Sequence, residues 1–185
     1  VRVGKIISRV ASEVDDTLNN ALVAEWIDSA QLEIAKHYGR VVRLPMRNLS
    51  PEVEYELPAD HLRMTKVLDS RNHEYLDFIV TGEGRFSVEQ GGDYIILYHR
   101  VPDLLPPPSD PWFQDYETEV HEIFNLAIIA FCKAEYWDLE SDSDREESSF
   151  ADKYRQRFYN LLMDGVGVLR GRVSERGTKM QPGYW

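Results

Sequence analysis

The sequence predicts an α+β fold: a mainly helical bundle with an inserted antiparallel β-sheet or hairpins and an extended C-terminal tail. Three observations carry this. Apolar residues recur at helical spacing towards both ends of the chain. They alternate at strand spacing in the middle. Residues 165–185 hold five glycines and no regular apolar stripe. The expected body is 1–164, with helices at 4–14, 16–38, 111–139 and 144–164 and a β insertion over about 53–99; residues 165–185 form the expected arm.

The first helix rests on Ile6, Ile7, Val10 and Val14. Asp15-Asp16-Thr17 supplies cap residues for a second helix whose stripe is Val23, Ile27, Ala30, Ile34 and Tyr38. Gly39 is a natural stop, because a positive φ costs glycine little there. Val53, Tyr55 and Leu57 then alternate as a half-buried strand does, and Leu57-Pro58-Ala59-Asp60 reads as a turn. Residues 64–68, 75–80, 86–88 and 94–98 are rich in β-branched and aromatic side chains and predict further strands. Gln90-Gly91-Gly92-Asp93 has the paired glycines of a hairpin turn.

The proline-rich segment 102–111 breaks the pattern, and Asp110-Pro111 suits the start of a helix. The stripe from Phe113 through Trp137 predicts one long helix, apolar nearly all round between Ile123 and Cys132 and therefore central. Ser143-Asp144-Arg145-Glu146 is a capping box for a last helix carrying Phe150, Tyr154, Phe158, Leu161 and Leu162.

Hydrophobic residues make up 43% of the 185 and charged residues 29%, which is enough apolar material for a core. The net charge of −11 opposes a role in coating nucleic acid, where affinity comes from bases on phosphates. The longest apolar-rich stretch, residues 126–132, is far short of the ~18–20 residues of a membrane helix. Val1-Arg2-Val3-Gly4 lacks a signal-peptide pattern. Cys132 is the single cysteine, so neither an internal disulfide nor a cysteine-based zinc site fits. The expectation is a soluble protein made in a reducing cytoplasm. Charge is uneven: residues 135–152 carry eight acids and one base, whereas residues 165–185 carry four bases and one acid.

Catalytic patterns fall short one by one. His121-Glu122-Ile123-Phe124-Asn125 has Asn where a zinc protease needs its second histidine, and reads as a polar face of the central helix. Gly82-Glu83-Gly84 lacks the lysine and following helix of a phosphate loop, and reads as a hairpin loop. Asp138, Glu140, Asp142 and Asp144 alternate like a calcium loop, but Ser143 and Ser149 stand where Gly and Glu are required. Cys132 lies in the most apolar stretch and reads as a buried, inert thiol. His37, His61, His73 and His99 share no spacing. No nucleophile, base and oxyanion site assembles, so the chain is expected not to be an enzyme and to need no cofactor or metal. The least ordinary feature is the tail. Arg170, Arg172, Arg176 and Lys179, followed by Tyr184 and Trp185, suit a partner surface with acidic groups and apolar pockets.

The order of elements resembles the head-to-tail adaptor (connector) proteins of tailed bacteriophages. The likeness lies in Asp15-Asp16 with the helix carrying Trp26-Ile27 and Ala30-Gln31-Leu32-Glu33-Ile34-Ala35, in Tyr55-Glu56-Leu57-Pro58-Ala59-Asp60-His61-Leu62-Arg63, in Ile96-Leu97-Tyr98-His99-Arg100-Val101-Pro102 followed by Leu104, and in the alanine-rich helix around 127–134. The resemblance implies a virion protein of the neck, assembled in the host cytoplasm. It would form a homo-oligomeric ring, commonly a dodecamer. The portal protein would lie above the ring and a tail-side stopper or nozzle protein below it. It implies no catalytic residues and no membrane, with genomic DNA passing the channel without specific binding. The tail residues Arg170, Arg172, Arg176, Lys179, Tyr184 and Trp185 would then meet the portal. Two alternatives stay open: a tail-completion or stopper protein, and a regulatory nucleic-acid-binding module with a basic tail. Four bases in 21 residues are thin for the second role.

Overall fold

The computed structural model describes residues 1–82, 84–141 and 145–178, with the backbone alone over 145–148 and 172–178. The fold is α+β, but it is not a mainly helical bundle: among the described residues, seven strands in two antiparallel sheets accompany four helices. The chain divides into a helical unit, Val1–His37 with Asp103–Trp185, and a β unit, Tyr38–Pro102.

In the helical unit, α1 (Val3–Val14) buries Val3, Ile6, Ile7 and Val10 and ends at Asp15, whose φ is 59°. Asp15-Asp16-Thr17 therefore does not cap the second helix. Asn19 does so, its Oδ1 accepting the Ala21 amide at 2.9 Å, and α2 runs Asn20–Tyr38. Val23, Ile27, Ala30 and Ile34 are buried on α2 as their spacing requires. The buried Gln31 accepts the Glu119 amide at 2.7 Å, and Asp28 accepts the Leu105 amide at 3.1 Å. Asp28 ties the proline-rich segment to α2 and Gln31 ties the stretch before α3 to it, and burial raises the Asp28 carboxyl above its ordinary value.

The long helix expected over 111–139 is shorter. Residues 113–115 and 122–124 are single 3₁₀ turns, and α3 spans Asn125–Glu140. Between the turns, the chain start claims the backbone: Val3 N donates to Tyr116 O at 2.8 Å and Thr118 N to Val1 O at 3.1 Å. Those long-range bonds hold the segment extended, overriding its helical periodicity. α3 buries Ala127, Ile128, Ile129, Ala130, Cys132 and Ala134 and is central.

The last helix, α4 (Arg145–Thr178), does not stop at Asp164. Its buried stripe is Ala151, Phe158, Leu162, Val166 and Leu169, so the apolar spacing continues past the expected boundary. Gly165 makes this possible by approaching α3's entrance closely: a Cβ there would lie 2.6 Å from a ring carbon of Phe124. Phe131 and Phe158 meet edge-on at 5.1 Å across α3 and α4. Gly165, Val166 and Leu169 are thus buried on a continuing helix rather than part of an extended arm.

The β unit comprises β1 (Val41–Leu49), β2 (Tyr55–Glu56), β3 (His61–Asp69), β4 (Glu74–Tyr75), β5 (Phe78–Gly82), β6 (Arg85–Val88) and β7 (Gly92–Arg100). The sheet orders are β1-β7-β3-β4 and β2-β6-β5. Leu49, Val67, Tyr94 and Ile96 from one sheet and Phe86 and Val88 from the other form one buried cluster. β1 was not anticipated. Val42, Leu44 and Met46 alternate with exposed Arg43, Pro45 and Arg47, and Pro45 is tolerated because β1 is an edge strand. The glycines at 91 and 92 make no hairpin, since β6 and β7 lie in different sheets and neither glycine has a positive φ. Gly91 instead allows a close approach, an added Cβ meeting Leu49 O at 3.1 Å. β5 and β6 do pair as the expected hairpin, with Gly84 at φ 77°, while Glu83 lies outside the described residues.

Candidate assembly surface

α4 is the element that carries the sequence-predicted partner residues. Arg170 is exposed on it. Arg172 and Arg176 lie further along the same helix, where the backbone alone is described. Lys179, Tyr184 and Trp185 lie outside the described residues. The structure brings one further pair beside Arg170. Tyr159 is 46% and Met163 56% exposed. With Arg170 they fall at i, i+4 and i+11, one stripe of a 3.6-residue helix. Gly167 adjoins it and has nothing within 4 Å of where a Cβ would stand. The helix therefore has a buried apolar face and, beside it, a solvent-facing apolar stripe that ends in a guanidinium.

Tyr159 and Met163 were missed because they sit next to core positions Phe158 and Leu162. The legible signal is width: apolar residues at 158, 159, 162, 163 and 166 exceed what one buried stripe uses.

The inside of the helical unit holds a charge cluster. Lys133 on α3 is buried, donates to Glu13 Oε2 at 2.9 Å and stacks 4.0 Å from the Tyr154 ring centre. The Lys133 bond, with Arg9 from the exposed side, holds the Glu13 carboxyl below its ordinary range. This arrangement cross-links α1, α3 and α4 and offers no open nucleophile. Cys132 is fully buried, and burial pushes its thiol far up, as an inert core thiol requires.

His121 is exposed but does not lie on the central helix. It precedes α3, and its Nδ1 accepts the Ile123 amide at 3.2 Å, making it a cap for a 3₁₀ turn. In the acidic stretch, Asp138 pairs with Arg155 at 2.9 Å, while Asp142 and Asp144 lie outside the described residues. Among the described residues no group of three or more His, Cys, Asp or Glu is placed to hold a metal, and no helix is long and apolar enough to cross a membrane. Compared with protein-family models and with curated proteins, the chain matches none of them.

Proposed function

We propose that this chain is a structural ring subunit of a phage neck, an adaptor between the portal and the tail through which DNA passes. The observation that carries the reading is the exposed stripe of Tyr159, Met163 and Arg170 on α4, beside a helix face already committed to the core. An apolar stripe on the longest helix is a protein-binding feature, because its exposure is unfavourable until a partner covers it. The interruption of the helical unit by a wholly antiparallel β unit supports the reading too, since the resemblance is drawn from a β insertion between helices. A net charge of −11 suits a channel that repels phosphates and lets DNA slide. In this reading Arg170, Arg172, Arg176, Lys179, Tyr184 and Trp185 contact the portal. α4, about 51 Å long at ~1.5 Å per residue, carries the first three.

The test mixes the purified full chain with the portal protein encoded beside it and images the product by negative-stain electron microscopy. A ring stacked on the portal is expected. Its loss is expected with Tyr159→Ser/Met163→Ser, and weakened attachment with residues 179–185 removed. Failure of the full chain to bind the portal or to form any ring overturns the reading. The shorter deletion is the right one, because removing 165–185 would strip Val166 and Leu169 from the core.

A further inference from the structure

β4 and β5 are the two halves of one strand that changes sheets, and the change leaves a gap. β4 pairs with β3 for two rungs, Val67↔Tyr75 and Leu68↔Glu74. The chain then kinks, Phe78 N donating to Leu76 O at 3.0 Å, and β5 joins β6 in the other sheet. Continued at the β3–β4 register, the ladder would have set Val80 opposite Leu62. Instead, a groove of about 470 Å³ is lined by Leu62, Arg63 and Met64 from β3 and by Val80 and Gly82 from β5, with Arg85 and His61 at its end.

Strand irregularities concentrate at this groove. β3 carries register shifts at His61/Arg63 and Met64/Lys66, and β5 carries one at Val80/Gly82. Each bulge adds local twist, which is why β3 and β5 diverge instead of zipping. The result is two strand edges lacking a neighbour on the groove side. β5 is also the least protected edge of the unit. Edge strand β1 carries Pro45, Arg43 and Arg47, and β2 and β4 are two residues each. β5 reads Phe-Ile-Val-Thr-Gly, with Ile79 55% and Val80 58% exposed and Leu76 74% exposed just before it. Natural sheets blunt such edges unless something covers them.

The charge of the groove selects the occupant. Its described lining holds Arg63, Arg85 and His61 and no carboxylate. Arg85 is already paired, with Glu56 at 3.1 Å and Glu54 at 3.8 Å, so Arg63 is the guanidinium left to meet an occupant. Arg63 contacts His99 Nε2 at 3.4 Å and forms no ion pair with a described residue. We infer that this gap binds an extended acidic peptide segment of another protein, which adds as a strand along the β5 edge. Its alternate apolar side chains would rest on Leu62, Met64 and Val80, and a carboxylate would meet Arg63. Main-chain hydrogen bonds supply the affinity in this mode, and the pockets supply the selectivity. The inference does not depend on the ring reading.

The test titrates the ¹⁵N-labelled full chain with the peptide Ac-Val-Glu-Val-Asp-Val-Glu-NH₂ and follows amide shifts. Shifts confined to residues 61–65 and 79–85 are expected. At least a tenfold loss of affinity is expected for Arg63→Glu, with the rest of the spectrum unchanged. The lysine counterpart, Ac-Val-Lys-Val-Lys-Val-Lys-NH₂, and the acidic peptide with alternate amides N-methylated should bind at least tenfold more weakly. Absence of shifts at those residues, or equal binding of the lysine peptide, overturns the acidic partner. Equal binding of the N-methylated peptide overturns strand addition. If the same amides shift on raising protein concentration without peptide, the occupant is a second copy and the proposal falls.

Discussion

In the helical unit, α3 is enclosed on nearly every side, and α4 extends the same core through Leu169. In the β unit, a cluster of six buried residues forms the centre of the core, while Ile79 and Val80 on β5 and Leu76 just before it stand in solvent. The two regions use apolar residues differently. The helical unit fills its interior first and shows a spare stripe on one helix. The β unit is a small core with an unfinished edge. A 65-residue β unit buries a smaller share of its surface than a larger domain, so each core side chain matters more to it.

That contrast breaks most easily at Phe86, fully buried in the small core. Phe86→Ala should cost about 3–5 kcal/mol and leave the β unit largely unfolded at room temperature, read by loss of its amide dispersion. The helical unit should withstand a comparable lesion better. Leu169→Ala should cost about 2–4 kcal/mol by denaturant titration, a value that an extended arm starting at residue 165 would not show. Gly165→Ala tests the same boundary more gently. Its added methyl must displace the Phe124 ring, for about 1–3 kcal/mol of destabilisation.

The pH response separates the units further. His99 in β7 is buried, and its Nδ1 lies 2.8 Å from Gly39 O. Burial, aided by the nearby Arg63 charge, holds the imidazole below its ordinary 6.5. The unfolded chain then binds the proton first as pH falls. β-unit stability is therefore full above about 6.5 and declines as pH drops below it towards the lower folded value. Thermal melts between pH 7 and 5 should show this decline, and His99→Gln should flatten it. The smallest effect belongs to the exposed strand. Ile79→Thr with Val80→Thr should change stability by no more than about 0.5 kcal/mol, because neither side chain is in the core. A large loss there would mean that β5 is structural rather than a free edge.

Much of this molecule was legible in one dimension. The stripes Ile6-Ile7-Val10, Val23-Ile27-Ala30-Ile34 and Phe158-Leu162 are buried where their spacing placed them. The strand segments around Met64, Phe86 and Ile96 are strands, because alternation and helical periodicity are local properties of a chain. The inert burial of Cys132 follows from its apolar neighbours. On the candidate surface of α4, the sequence singled out Arg170 but not the exposed Tyr159 and Met163 beside it.

What escaped the sequence was fixed by partners far along the chain. Residues 116–118 are extended because Val1 and Val3 claim their backbone. α4 runs past Asp164 because Gly165 fits against Phe124, and a glycine shows no apolar signal however tightly it packs. β1 is a strand despite Pro45 because only its inner edge must hydrogen-bond to β7. The groove between β3 and β5 arises from bulges, which are differences in count between paired strands. No single strand contains that information, so the register decided it.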